Sequence, residues 1–170
     1  ERSLAASARA QRETGAAIVV HFEIGTPEPE YNHALGILEA AGADLSRVVV
    51  SHLVPRPDSF EMYKGLADKG CFLAFDLFGQ ESWPLMKDLV RTHPEVQYSS
   101  VKGFIDNGLL GKILISQNVC HIRHMTVNAG GGYAHILTDV IPRLKAYGVS
   151  DADIRTMMVE NPKRLLAFPS

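Results

Sequence analysis

Four short, largely apolar runs recur along the chain, and each ends in a polar side chain. Ala16 to Val20 runs into His21-Phe22-Glu23, Arg47 to Ser51 into His52, Cys71 to Phe75 into Asp76, and Lys112 to Gln117 into Asn118. A run that is apolar at successive positions marks a strand covered on both faces. Segments of helical pattern lie between these runs. Ser3 to Glu13 is rich in Ala, Arg and Gln and is stopped by Gly15. Pro29 to Ala41 places Leu35, Ile37 and Leu38 on one side before Gly42, and Ser59 to Lys69 turns Phe60, Tyr63, Leu66 and Ala67 inward before Gly70. Further helices are predicted over Trp83 to Thr92, Val96 to Asn107 and Tyr133 to Ala146, the last kinked by Pro142. Ser150 reads as an N-cap for a helix ending at Val159, and Asn161-Pro162 starts a short terminal helix through Leu166.

Alternating strands and helices with every strand buried predict an α/β fold built on a parallel sheet. A doubly wound sheet and a (β/α)8 TIM barrel both satisfy the pattern. The placement of His21, His52, Asp76 and Asn118, each at the C-terminal tip of its strand, favours the barrel. A barrel gathers all those tips around one axis, whereas an open sheet gathers only the two beside its switch point. Four βα units are half of eight, and the chain's 170 residues fall short of the roughly 200 or more of a complete barrel. The chain also opens at Glu1 in helical pattern without an initiator Met, so it reads as cut from something longer.

The strand-end residues admit two readings each. His21 and His52, on adjacent parallel strands, can converge on one divalent ion, because neutral imidazole is a good zinc donor; a strand-terminal His is equally a satisfied, half-buried residue. Asp76, with Leu77 after it, is a candidate for orienting substrate, and Asp76 is alternatively a loop anchor that accepts backbone N–H groups. Glu23 can accept an imidazole N–H from His21 or be a solvated loop carboxylate. His121 and His124 read as exposed loop residues, His135 as a capping or packing residue, and His33 and His93 as surface residues. Gly130-Gly131-Gly132 ahead of a helix is an anion cradle or a tightly packed loop; the spacing of phosphate loops and of the serine-hydrolase elbow is absent.

The net charge of -2 and pI of about 6.4 provide no basic field for nucleic acid or anionic lipid. No apolar run reaches the roughly 18 to 20 residues of a membrane span. Cys71 and Cys120 both sit in apolar runs and read as buried thiols, which points to a reducing, cytoplasmic compartment.

Six segments in order carry a family resemblance: Ile18-Val19-Val20-His21, Val50-Ser51-His52-Leu53, Phe72 through Gly79, Ile113 through Cys120, Gly132 through Leu137, and Glu160 through Phe168. They resemble the C-terminal half of phosphotriesterase-related proteins in the amidohydrolase superfamily. The resemblance implies that residues 1-170 are strands five to eight of a single TIM-barrel domain. It implies a hydrolase acting on lactones, carboxyl esters or phosphotriesters through metal-activated hydroxide. Two divalent metal ions, zinc by expectation, would serve as cofactors, with His21 and His52 as ligands of the more exposed one. The remaining ligands would lie on strands outside this chain. The family's last strand ends in an aspartate that binds metal and accepts a proton; here Asn118 stands in that position, able to offer an amide oxygen but no base. Val54 and Pro55 replace the family's acidic relay after His52, and Gly131 stands where many relatives have His. A non-catalytic half-barrel used for binding or assembly is the competing expectation. The partners expected are a small ester or lactone, and either further copies of the chain or the other barrel half.

Overall fold

A computed structural model describes residues 1–80 and 93–168. The helix expected over Trp83 to Thr92 lies outside the described residues. Four strands, β1 (Ile18–His21), β2 (Val48–Ser51), β3 (Phe72–Phe75) and β4 (Ile113–Ile115), form one sheet in the order β1-β2-β3-β4. All three pairings are parallel, with Val20 opposite Val50, Val50 opposite Leu73 and Leu73 opposite Ile113. Sequential order without a reversal contains no switch point, which rules out the doubly wound arrangement for these four strands. It also brings the four C-terminal tips to one end of the sheet.

The helices are α1 (Arg2–Thr14), α2 (Glu28–Ala40), α3 (Phe60–Asp68), α4 (Pro94–Phe104), α5 (Ile141–Ala146), α6 (Asp151–Arg155) and α7 (Asn161–Leu166). Helix α1 ends as its sequence predicts, at Gly15 with φ 71. Ser150 and Asp153 form a reciprocal capping box on α6. Pro142 acts one turn upstream of itself. A proline cannot donate to the carbonyl four residues back, and the helix expected from Tyr133 instead contains a wider π-type turn over Ile136–Val140 before α5. The fourth strand ends at Ile115, three residues before Asn118, where the backbone turns left-handed with φ 42.

Side chains alternate between two layers. Ile18, Val20, Val48, Val50, Leu73, Phe75, Ile113 and Ile115 face the helices and join Leu35, Leu38, Leu66, Val101 and Leu144 in the main core. Tyr63, Phe75 and Phe104 meet there with ring centroids 5.7 to 5.9 Å apart, a separation at which aromatic pairs contribute about 0.5–1.5 kcal/mol beyond burial. Val49, Phe72 and Ala74 point to the opposite face, where Leu165 of α7 covers them. Val19 shares that second face and is 65% exposed. Cys71 is buried, as expected, and burial pushes its thiol up to about 11. Cys120 is exposed, contrary to expectation, because it follows the end of β4 in a loop and no longer belongs to the sheet. No helix among the described residues is long and apolar enough to cross a membrane.

Two buried amides tie helices to strand entrances. Gln11 of α1 donates through Nε2 to the carbonyls of Asp44 and Arg47 and accepts from the Asp44 N–H, clamping α1 to the start of β2. Asn161, fully buried, donates through Nδ2 to the carbonyls of Leu110 and Ile113, both at 2.8 Å. Removing one buried partner strands the other, which costs about 1–3 kcal/mol per group. Asn161→Ala is therefore expected to lower the unfolding free energy by roughly 2–4 kcal/mol, read from the urea midpoint; a change within experimental error would show that these carbonyls find other partners.

Candidate active site

The site lies at the C-terminal end of the sheet and rests on two left-handed residues. Along β2, alternation sends Val48 and Val50 to the helices and Val49 to the opposite face, so an extended continuation would send the His52 side chain to the helices. Instead His52 has φ 63. Its ring comes to 4.1 Å from that of His21, centroid to centroid. A non-glycine residue in this conformation costs about 1–2 kcal/mol. The cost is offset by a hydrogen bond from the His52 N–H to Asp76 Oδ1 at 3.0 Å, since a bond to a charged acceptor contributes about 1.5–3 kcal/mol. Asp76 is thus the loop anchor that one reading of the sequence described. It also faces the imidazole, with Oδ2 3.5 Å from Nδ1.

His52 and Asp76 are each 15% exposed at the side chain, whereas His21 is 61% exposed. Burial lowers the His52 pKa, opposed by the adjacent Asp76 carboxylate, and burial raises the Asp76 pKa, opposed by His52. Neutral imidazole is the form that binds metals. With Nδ1 turned to Asp76, His52 Nε2 is directed to the open side, where Asn118 Nδ2 lies 3.0 Å away. Asn118 has φ 42, a conformation that Asn and Asp adopt more readily than other side chains. Its carbonyl is fixed by Gln80, a buried amide whose Nε2 donates to the carbonyls of Gln117 and Asn118 at 3.0 and 2.7 Å. Gln80 carries no sequence signal, since nothing in a lone Gln after Gly79 marks it as the support of a neighbouring loop.

Three of the four strand-end candidates therefore converge on His52. Two imidazoles and one amide oxygen, available after rotation of the Asn118 amide, fit as ligands contributed from one side of a metal site. They do not form a complete one: among the described residues no group of three His, Cys, Asp or Glu side chains could hold an ion. Leu77 is buried with Val54 and Ile24 in a small apolar cluster beside the site. Glu23 is a solvated carboxylate, 93% exposed and 4.0 Å from His21 Nε2.

Behind Asn118, the glycine-rich loop is packed and not an open cradle. His124, expected on the surface, is buried, and its Nδ1 accepts from the Cys120 N–H at 3.3 Å; the short helical turn at Ile122–His124 folds the ring inward. Gly130 rests against the His124 backbone. His135 packs between Gly79 and Gly131, where a Cβ on either glycine would come within 2.6 Å of its ring. The space beside Gly131 is thus already filled by an imidazole from the following helix.

The model of the phosphotriesterase family matches residues 1–166. The chain belongs to the phosphotriesterase family. Relatives include the N-acetyltaurine hydrolase of Dictyostelium discoideum, 37% identical over 99% of this chain and 45% of that protein. Among solved structures, a resiniferatoxin-binding protein from Rhodobacter sphaeroides superimposes with a TM-score of 0.88 at 32% identity, covering 96% of this chain and 45% of that one. The phosphotriesterase homology protein of Escherichia coli, solved with phosphate in its active site, gives 0.81 at 30% identity over 95% and 51% of the respective chains. The chain spans about half the length of these proteins.

Asp76→Ala removes the acceptor that holds His52 in its left-handed turn. The unfolding free energy is expected to fall by about 1.5–3 kcal/mol, and NMR cross-peaks between the His21 and His52 rings should weaken. Retention of both would show that the turn is held by something else.

Proposed function

We propose that this phosphotriesterase-family chain supplies one wall of a metal-dependent hydrolase site at the open end of a (β/α)8 TIM barrel, of which it forms the last four βα units. The meeting of the His21 and His52 rings at 4.1 Å, on adjacent parallel strand ends, carries the reading. His21 and His52 would hold the more exposed of two divalent metals, zinc being the ion best matched to imidazole donors. The amide oxygen of Asn118 would face the other. When bound, such ions polarise the acyl or phosphoryl oxygen and make a water nucleophile available at neutral pH.

The chain's own residues divide the remaining work. Asp76 fixes the orientation of His52 and keeps Nε2 free of its own carboxylate, as an outer carboxylate does for a ligating imidazole. Asn118 occupies the place of a proton acceptor without being one. Its left-handed backbone accommodates Asn and Asp alike, so the shape of the site is retained while the base is lost. Carboxyl esters, lactones, phosphotriesters and N-acyl amides are the substrate classes in view, the last because a relative is named for N-acetyltaurine. Beyond the sheet's edges, β1 and β4 are proposed to pair with further strands, from a longer polypeptide or another copy, which would also cover Val19.

The second reading is a non-catalytic barrel wall used for binding, and Asn118 is the observation that favours it. Asn118→Asp in the full-length, zinc-loaded protein separates the two. Restoring a general base is expected to raise kcat on a lactone or N-acyl amide by roughly 10²-fold or more. Equal turnover by the two proteins would remove the proton-accepting role from position 118, and no turnover by either would favour the binding reading.

A further inference from the structure

The segment leaving β2 carries a cation to the rim of the site. Leu53 and Val54 are buried and the Tyr63 hydroxyl donates to the Val54 carbonyl at 2.9 Å, so the path of the chain into Pro55-Arg56 is fixed. Arg56 there lines a cleft together with Gly25, Thr26, Tyr31 and His52. His52 is common to this cleft and to the strand-end cluster. The free volume of the cleft, about 30 Å³, has room for a compact charged group of a few atoms.

The cleft has the electrostatics of an anion site. Among the described residues no carboxylate lines it. Among the described residues Asp58 is the one ionic partner of Arg56, with Oδ1 3.4 Å from Nε, the two side chains being 76% and 39% exposed respectively. Arg56 Nε is buried and lacks a hydrogen bond. A guanidinium has five donors in a planar fork that matches a carboxylate or a sulfonate. The Arg56 charge also reaches the Tyr31 and Tyr63 phenols, where it works against the upward push of burial on their pKa values. Of the two phenols, Tyr63 is committed to the Val54 carbonyl. The position that the family resemblance links to an acidic relay is apolar here, at Val54 and Pro55, so nothing acidic in that stretch neutralises the guanidinium before Asp58.

We infer that Arg56 binds the anionic end of the substrate, a carboxylate or sulfonate joined by a short linker to the bond cleaved beside His52. The assignment rests on the hydrolytic reading above and narrows its substrate class to compact acyl conjugates that carry a terminal negative charge. Arg56 is then a specificity residue, contacting substrate away from the reacting atoms.

The test compares two N-acetyl amides of equal length with the full-length protein, one ending in sulfonate and one in a neutral methyl sulfone. Arg56→Gln is expected to lower the ratio of kcat/KM for the anionic over the neutral amide by about tenfold or more, chiefly through KM for the anionic one, because a lost charge-assisted hydrogen bond is worth about that factor. Arg56→Lys should recover much of the ratio. An unchanged ratio in Arg56→Gln overturns the assignment. Calorimetric titration of propane-1-sulfonate keeps the question separate from hydrolysis. Binding weakened about tenfold in Arg56→Gln supports the assignment even if neither amide is turned over, in which case the hydrolytic reading fails alone; equal binding overturns it. Should Arg56→Gln fail to fold, the wild-type protein still decides, since it must bind propane-1-sulfonate in preference to propyl methyl sulfone.

Discussion

The carboxylate of Asp76 joins two strands at the point where the chemistry is proposed to occur. By accepting the His52 N–H it holds a left-handed residue that the extended backbone of β2 would otherwise avoid. Without that inversion, strand alternation would carry the second imidazole into the helix layer and leave His21 alone on the open face. The same carboxylate lies 3.5 Å from His52 Nδ1, so one side chain holds the backbone by a hydrogen bond and faces the ring. Because both groups are mostly buried, their pKa values shift toward the neutral forms, and the imidazole is thereby in its ligating state.

A second layer of support comes from amides and glycines. Gln80 fixes the carbonyls around Asn118, Gly79 and Gly131 leave room for His135, and Asn161 joins the terminal helix to the entrance of β4. The Gln80 bonds join the loop after β3 to the loop after β4, and there Asn118 lies against His52. The asparagine is therefore held by a well-built environment. Its departure from aspartate changes charge and proton affinity without a demand on backbone shape.

Much of this was legible in the sequence because the signals are local and repeated. Strands written as unbroken apolar runs, each closed by a polar residue, yield the parallel sheet and the position of His21, His52, Asp76 and Asn118. That these tips gather follows from the same pattern, but the device that brings the two imidazoles together was not legible, since it is a positive φ that no residue type at position 52 announces. Burial of His124 and exposure of Cys120 were misjudged for a related reason. Both lie beyond the end of β4, where a loop's path, and not hydrophobic periodicity, decides what is covered. Gln80 and Asn161 act through carbonyls distant in sequence, and such pairings leave no trace in spacing.

Anomalous diffraction at the zinc edge, from crystals of the full-length protein loaded with zinc, shows whether the two imidazoles share an ion. A peak is expected about 2.0–2.1 Å from a ring nitrogen of both His21 and His52, with Asp76 beside the other nitrogen of His52. Zinc bound elsewhere while these two imidazoles coordinate nothing would contradict the proposed site.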